Sequence, residues 1–255
     1  MGRVMVDLSG VAHSYRTEDE LVQAIKQANF QIEENTFTII YGPSGSGKST
    51  LLNIISGLQK PSRGCVLVEN RDLYALSPDE LAFFRANRLG LVHQTTHWIR
   101  SLNVVENVSV PLYFLGLKRP TAEKIAMLVL DRVGMASYAN KSPLVLSGGE
   151  QQRISMARAL SSNPLFVIAD EPTGNLDQEN SDKIMDLLQN CKSEFRCTVI
   201  MVTHNIEYVP FADKLITLND GIAQALPAES MYETTHKLMT DLQHRINKLT
   251  RKKQI

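Results

Sequence analysis

The nine residues Gly42, Pro43, Ser44, Gly45, Ser46, Gly47, Lys48, Ser49 and Thr50 constrain this chain more than any other stretch. They fit the spacing G-x-x-x-x-G-K-[ST]. A β-branched apolar run, Thr36 to Tyr41, precedes them, and helical periodicity follows from Ser49 to about Leu58, closed by Pro61 and Gly64. A glycine loop of this kind aims successive backbone N–H groups and a helix N-terminus at one point, where the helix dipole favours an anion. Gly45 and Gly47 allow a backbone approach that a Cβ would block. Lys48 is expected to place its charge on the β- and γ-phosphates of a nucleotide, and the Ser49 hydroxyl to ligate Mg²⁺. The loop needs a strand on one side and a helix on the other, so the fold class is α/β.

Composition sets the remaining bounds. The chain has 255 residues, 43% of them hydrophobic and 21% charged, so a sizeable core is available and global disorder is excluded. Lys and Arg number 27 against 27 Asp and Glu, and this balance argues against a nucleic-acid partner. Three scattered cysteines, Cys65, Cys191 and Cys197, read as reduced thiols of a reducing compartment. No run reaches the roughly 18 apolar residues of a membrane span, and the N-terminus lacks the apolar stretch of a secretory signal.

Elsewhere the pattern alternates strands with helices. Val66 and Val68 mark a short strand, and Ser77 to Glu80 reads as a capping box that opens a helix carrying Leu81, Phe83 and Phe84. From about Val104 to Leu160 the periodicity is helical, with Gly134 as a stop. Leu165 to Ala169 and Thr198 to Thr203 are the short, wholly apolar or β-branched runs of strands buried on both faces, joined by a helix over 182–189. The helix-rich middle predicts an inserted helical lobe.

The strand ending in Leu165 to Ala169 runs into two adjacent carboxylates, Asp170 and Glu171. Strand alternation would point them in different directions, Asp170 to hold Mg²⁺ and Glu171 to orient or deprotonate a water. On its own the pair also fits a solvated strand end. A second serine-and-glycine helix start occurs at Leu146 to Arg153 (LSGGEQQR), where Ser147, Gly148 and Gly149 precede Glu150. As a plain helix cap it needs no ligand. As a second anion site it has a use only if two chains pair head to tail and share each nucleotide.

Together these motifs resemble the ATP-binding subunit of an ABC transporter, over roughly Val4 to Gly221. The resemblance implies an α/β P-loop NTPase (RecA-like) core with an N-terminal antiparallel β subdomain, an α-helical subdomain inserted at about 95–160, and one ATPase domain over 1–222. It makes Gly42 to Thr50 the Walker A loop, Asp170 and Glu171 the Walker B pair with its catalytic glutamate, and Ser147 to Gly149 the signature. It further implies that Gln94 contacts Mg²⁺ and faces a permease, that Asp177 in Asn175 to Asp177 communicates across the dimer, that His204 contacts the γ-phosphate, and that Tyr15 stacks on adenine. ATP and Mg²⁺ are the implied ligands. The partners are a second copy of the chain and integral membrane permease subunits, docked near the Gln94 to Leu102 groove at the cytoplasmic face of the cell membrane.

Within the family, ADEPTGNLD, ENVSVPL and the short chain resemble the macrolide-export and lipoprotein-release type. Export or extraction of a lipophilic or peptide substrate is the implied work; a mechanical regulator controlling an envelope hydrolase, without transport, is the other expectation. The sequence departs from the family after Gln94, where TTHWIRSL (Thr95 to Leu102) carries the sole tryptophan, Trp98. His93 and His97 have helical spacing and, with no third ligand nearby, read as an ordinary pair. Beyond Gly221, Met231, Thr235, Leu238, Leu242, Ile246 and Leu249 recur at helical spacing before a basic end, so an amphipathic helix is expected within 223–255.

Overall fold

In the computed structural model, which describes residues 2–16, 20–227 and 240, strands and helices alternate as the punctuation requires. In chain order they are β1 (Val4–Arg16), β2 (Leu21–Glu33), β3 (Phe37–Tyr41), α1 (Lys48–Ile55), β4 (Arg63–Val68), β5 (Arg71–Asp72), α2 (Pro78–Arg88) and β6 (Leu89–Val92). Then follow α3 (Val104–Phe114), α4 (Arg119–Arg132), α5 (Gly148–Leu160), β7 (Phe166–Asp170), α6 (Gln178–Glu194), β8 (Thr198–Thr203), β9 (Lys214–Asn219) and β10 (Ile222–Ala225). Among the described residues the strands form one sheet in the order β5-β4-β1-β2-β10-β9-β3-β8-β7-β6.

Strands β9, β3, β8, β7 and β6 pair in parallel, whereas β2, β1, β4 and β5 pair antiparallel at the other end. Burial on both faces explains the wholly apolar runs. Val167, Ala169, Val199 and Met201 join the core under the helical lobe, while Phe166, Ile168, Ile200 and Val202 join the core around α1 and the antiparallel strands. The period of two thus divides one run of residues between two hydrophobic layers. Parallel pairing also aligns strand ends. Tyr41 pairs with Thr203, Asp170 with Val202, and Val92 with Ala169, so the loops that leave β3, β8, β7 and β6 emerge along one edge.

The helix ends follow local chemistry. Helix α1 stops sooner than expected, at Ile55 rather than about Leu58, because Gly57 at φ +71° lets its own N–H reach Ile54 O and that of Leu58 reach Asn53 O. Gly134, at φ +70°, closes α4 in the same way through Met135 N–H to Leu130 O. The Ser77–Glu80 capping box is present at the start of α2. Helix α6 is longer than the 182–189 expected, since Asp177 accepts from Asn180 N–H and starts it four residues earlier, at Gln178.

Residues 95–103, inside the span expected of the helical lobe, form no regular element; they are tied down by Asn107 of α3 instead. Asn107 is fully buried, accepts from Ile99 N–H at 3.0 Å and donates to the carbonyls of Ile99, Leu102 and Asn103 at 3.2, 3.0 and 2.9 Å. At the C-terminal end β10 runs to Ala225, past the boundary placed at 222, and Leu226 N–H donates to Leu215 O. The helical pattern from Met231 to Leu249 lies outside the described residues. Replacing Asn107 with Ala strands buried carbonyls, so Asn107→Ala should lower stability by about 2–3 kcal/mol in urea unfolding. An unchanged midpoint would contradict its role as the organiser of this loop.

Candidate functional site

Gly42 leaves β3 with its N–H on Thr203 O at 3.3 Å, and the loop then turns into α1. Gly47 sits at φ +103°, and a Cβ there would also collide with Ala24 O of β2. Lys48 is buried, and its ammonium donates to the carbonyls of Gly42 and Pro43, both at 2.9 Å. Helices α2, α3, α5 and α6 begin with a capping side chain, Ser77, Asn103, Ser147 and Asp177; α1 and α4 begin with none, and of these two α1 opens on the glycine loop. The Ser46 hydroxyl is buried without a partner. The mouth of this uncapped helix is a cleft of about 700 Å³, lined by Ser44, Gly45, Gly47, Lys48, Ser49 and Thr50 of the loop together with Tyr15, Gln94, Asp170 and Glu171.

The two carboxylates diverge, but strand alternation is not the cause. Strand β7 ends at Asp170, and Glu171 adopts a left-handed backbone at φ +46° with its N–H on Val202 O at 3.0 Å. The turn sends Asp170 toward Ser49, whose hydroxyl lies 3.4 Å from Asp170 Oδ2. It sends Glu171 toward His204, whose Nδ1 is 2.8 Å from Glu171 Oε1, with Lys48 Nζ at 3.8 Å from the same oxygen. Burial, and next the charge of Glu171, raise the pKa of Asp170; His93, Ser49 and Lys48 oppose the shift. A hydroxyl, a carboxylate and the Gln94 amide on one cleft form the oxygen-donor set that a hard divalent cation takes. The uncapped helix start and Lys48 fit a polyphosphate.

Tyr15 reaches the cleft from β1, with its hydroxyl 2.8 Å from Gln59 Oε1 and 3.2 Å from Thr50 Oγ1. Further contributors to this cleft went unnoticed in the sequence. Gly174 is one: a Cβ there would lie 2.8 Å from Gln94 Nε2. Residues of β2 form the cleft's side wall, and Asp220 with Gly221 close it. The last two had a readable signal, since Asp-Gly between two apolar runs marks a tight hairpin, and both residues have positive φ, +45° and +76°.

Ser147, Gly148, Gly149 and Asp177 are not brought to this cleft; they gather in a separate cluster. Ser147 and Glu150 form a full capping box, which holds the Glu150 carboxyl below its ordinary range. Gly149 packs so closely on α6 that a Cβ would lie 2.3 Å from the Asn180 side chain, which in turn bonds Asp177 at 2.9 Å.

The departure at Thr95 to Leu102 is strapped to α5. Trp98 Nε1–H and the Thr96 hydroxyl donate to Gln151 Oε1 at 2.8 and 3.0 Å, while Gln151 Nε2 donates to Leu146 O at 2.9 Å. The Arg158 guanidinium lies 4.6 Å over the Trp98 ring and donates to His97 O at 2.7 Å. His93 and His97 meet edge to face at 5.7 Å, and burial, then His97, lower the pKa of His93. His93, His97 and Arg158 border a second groove of about 710 Å³ between α2, α3 and α5, where Phe83 and Phe114 are 59% and 77% exposed.

Comparison with known proteins places the chain in a family. Residues 25–174 match the family described as ABC transporter. An uncharacterized ABC transporter ATP-binding protein of Methanocaldococcus jannaschii, MJ0796, is 42% identical over 221 residues, covering 85% of this chain and 94% of that protein. The lipoprotein-releasing system ATP-binding protein LolD of a Shewanella species is 36% identical over 89% of this chain and 98% of its own. The macrolide export ATP-binding/permease protein MacB of another Shewanella is 36% identical over 87% of this chain, which matches 34% of that longer protein. A solved dimeric structure of MJ0796 bound to ADP and Pi, in a post-hydrolysis state, superposes with a TM-score of 0.80 at 40% identity, over 88% of this chain and 99% of that one.

The chain belongs to the ABC transporter family. Within that family it is an ATP-binding cassette, an α/β P-loop ATPase. Among the described residues no helix is long and apolar enough to cross a membrane. Gly174 provides a test of the cleft geometry. In Gly174→Ala the new methyl crowds the far end of the flexible Gln94 side chain and touches Glu171 O at an ordinary 3.4 Å, so the thermal midpoint should hold. ATP turnover should fall on the order of 10- to 100-fold as Gln94 is displaced. Wild-type turnover would show that Gln94 needs no clearance there.

Proposed function

We propose that two copies of this chain pair head to tail on ATP, hydrolyse it at two shared sites, and drive a separate membrane permease. The observation that carries this reading is the division of the anion-binding apparatus. The cleft holds Lys48, Ser49, Asp170 and Glu171, whereas Ser147 to Gly149 and Asp177 stand in another part of the same chain. A nucleotide bound to the cleft of one copy would be covered by the Ser147 cluster of the other. The dimeric structure of MJ0796 with ADP and Pi supports such a pairing.

Each residue then has a task. The loop Gly42 to Thr50 and Lys48 hold the phosphates; Lys48, already anchored on two carbonyls, neutralises charge as it develops on the γ-phosphate. Ser49, Asp170 and Gln94 would hold Mg²⁺, which supplies charge neutralisation to the phosphates when bound. Glu171 accepts a proton from the attacking water, and His204, in contact with its Oε1, keeps the carboxylate aimed and reaches the γ-phosphate. Tyr15 stacks on the base. Asp177 senses the partner copy.

The groove between α2, α3 and α5 suits an apolar segment of a permease, docked at the cytoplasmic face of the cell membrane beside Gln94 to Leu102. Relatives named for macrolide export and lipoprotein release support a lipophilic or peptide cargo. Closure on ATP moves the permease, because the closed pair binds ATP more tightly than the open one.

Two substitutions test the shared site. Glu171→Gln should abolish phosphate release while keeping ATP binding and yielding an ATP-dependent dimer on size exclusion; unchanged hydrolysis would refute the role of Glu171. Ser147→Arg should leave nucleotide binding to the single chain intact and block hydrolysis. Wild-type rates in that variant would exclude a site shared between copies.

A further inference from the structure

The aromatic ring at the edge of the cleft is held by a chain of side-chain hydrogen bonds. Gln59 Oε1 can only accept, so the Tyr15 phenol donates to it at 2.8 Å, and the Thr50 hydroxyl then donates to the phenol oxygen at 3.2 Å. Gln59 Nε2 can only donate, so His13 Nε2, 2.7 Å away, accepts. That direction places a His13 proton on Nδ1, with Ser62 Oγ 3.4 Å away. The His13 ring also stands edge-on to the Tyr15 ring, with centroids 4.8 Å apart and planes at 78°.

Gln59 is itself anchored. It follows the Gly57 stop of α1, its N–H donates to Asn53 O at 3.0 Å, and its carbonyl accepts from the Tyr74 hydroxyl. Both polar ends of its side chain are therefore used in joining His13 to Tyr15. Thr50, the last residue of the phosphate loop, closes the chain of bonds on the other side. The ring of Tyr15 and the loop of Gly42 to Thr50 are thereby set at a fixed separation.

We propose that Gln59 is a positioning residue for the nucleotide base: it presets the Tyr15 ring, and through Thr50 registers that ring against the phosphate loop. The proposal rests on the reading of Tyr15 as the base-stacking residue. A ring that is already ordered loses less side-chain freedom on binding, so the gain belongs to ligands that carry a base and is absent for a bare polyphosphate.

The test compares two probes on the full chain, a non-hydrolysable ATP analogue and inorganic tripolyphosphate, each with Mg²⁺, by calorimetry. Gln59→Leu and Tyr15→Phe should each weaken the analogue roughly 3- to 10-fold and leave tripolyphosphate unchanged. The double variant should be no weaker than either single one, since both break the same bond. Gln59→Glu, which keeps an acceptor for the phenol, should recover most of the affinity. Equal loss for both probes in Gln59→Leu and Tyr15→Phe would overturn the proposal, because the phosphate loop itself would then have been disturbed. Full analogue affinity in Gln59→Leu, with a loss in Tyr15→Ala, would overturn the role of Gln59 while keeping the base reading. Full affinity in Tyr15→Ala would overturn both.

Discussion

Everything around the cleft depends on how closely one carbonyl can approach two glycines. Ala24 O of β2 lies 2.4 Å from where a Cβ of Gly47 would be and 3.0 Å from that of Gly221. Gly47 belongs to the phosphate loop, Gly221 to the β9–β10 hairpin, and Ala24 to the antiparallel strands. Gly221 O also accepts from Lys26 N–H at 2.7 Å, which seals the junction. Any side chain at either glycine would push β2 outward and carry Tyr15, on the neighbouring β1, away from the loop. Contact between three distant stretches of chain therefore decides whether one nucleotide can touch all of them.

Electrostatics in the cleft follow from this closeness. Lys48 holds the carbonyls of its own loop and leans toward Glu171, and Glu171 shares one oxygen between Lys48 and His204. Asp170, half-buried beside Glu171, has its pKa raised by burial and next by the Glu171 charge.

Much of this was readable in the sequence, for reasons that are local. Thr198 to Thr203 is a strand over the same residues as expected, because a β-branched run without breakers admits little else. The Ser77 capping box and the Gly134 stop are short-range chemistry and appear as expected. What could not be read was non-local or conformational. Gly57 ended α1 before Pro61 could, since a left-handed glycine acts at once. The left-handed turn at Glu171 depends on its pairing with β8, and the approach of Gly174 to Gln94 joins loops far apart in sequence. The bonds that strap Thr95 to Leu102 onto α5, from Trp98 to Gln151 and from Arg158 to His97 O, likewise appear only when the helical lobe is packed.

Trp98 also gives the protein an optical property. It is the sole tryptophan of the chain, its indole N–H is bonded to Gln151, and its ring lies under the Arg158 guanidinium at 4.6 Å. Emission excited at wavelengths that the seven tyrosines do not absorb therefore comes from one point, between the second groove and the helix that begins at the Ser147 cluster. A shift in its colour or intensity would register movement at that joint without any added label.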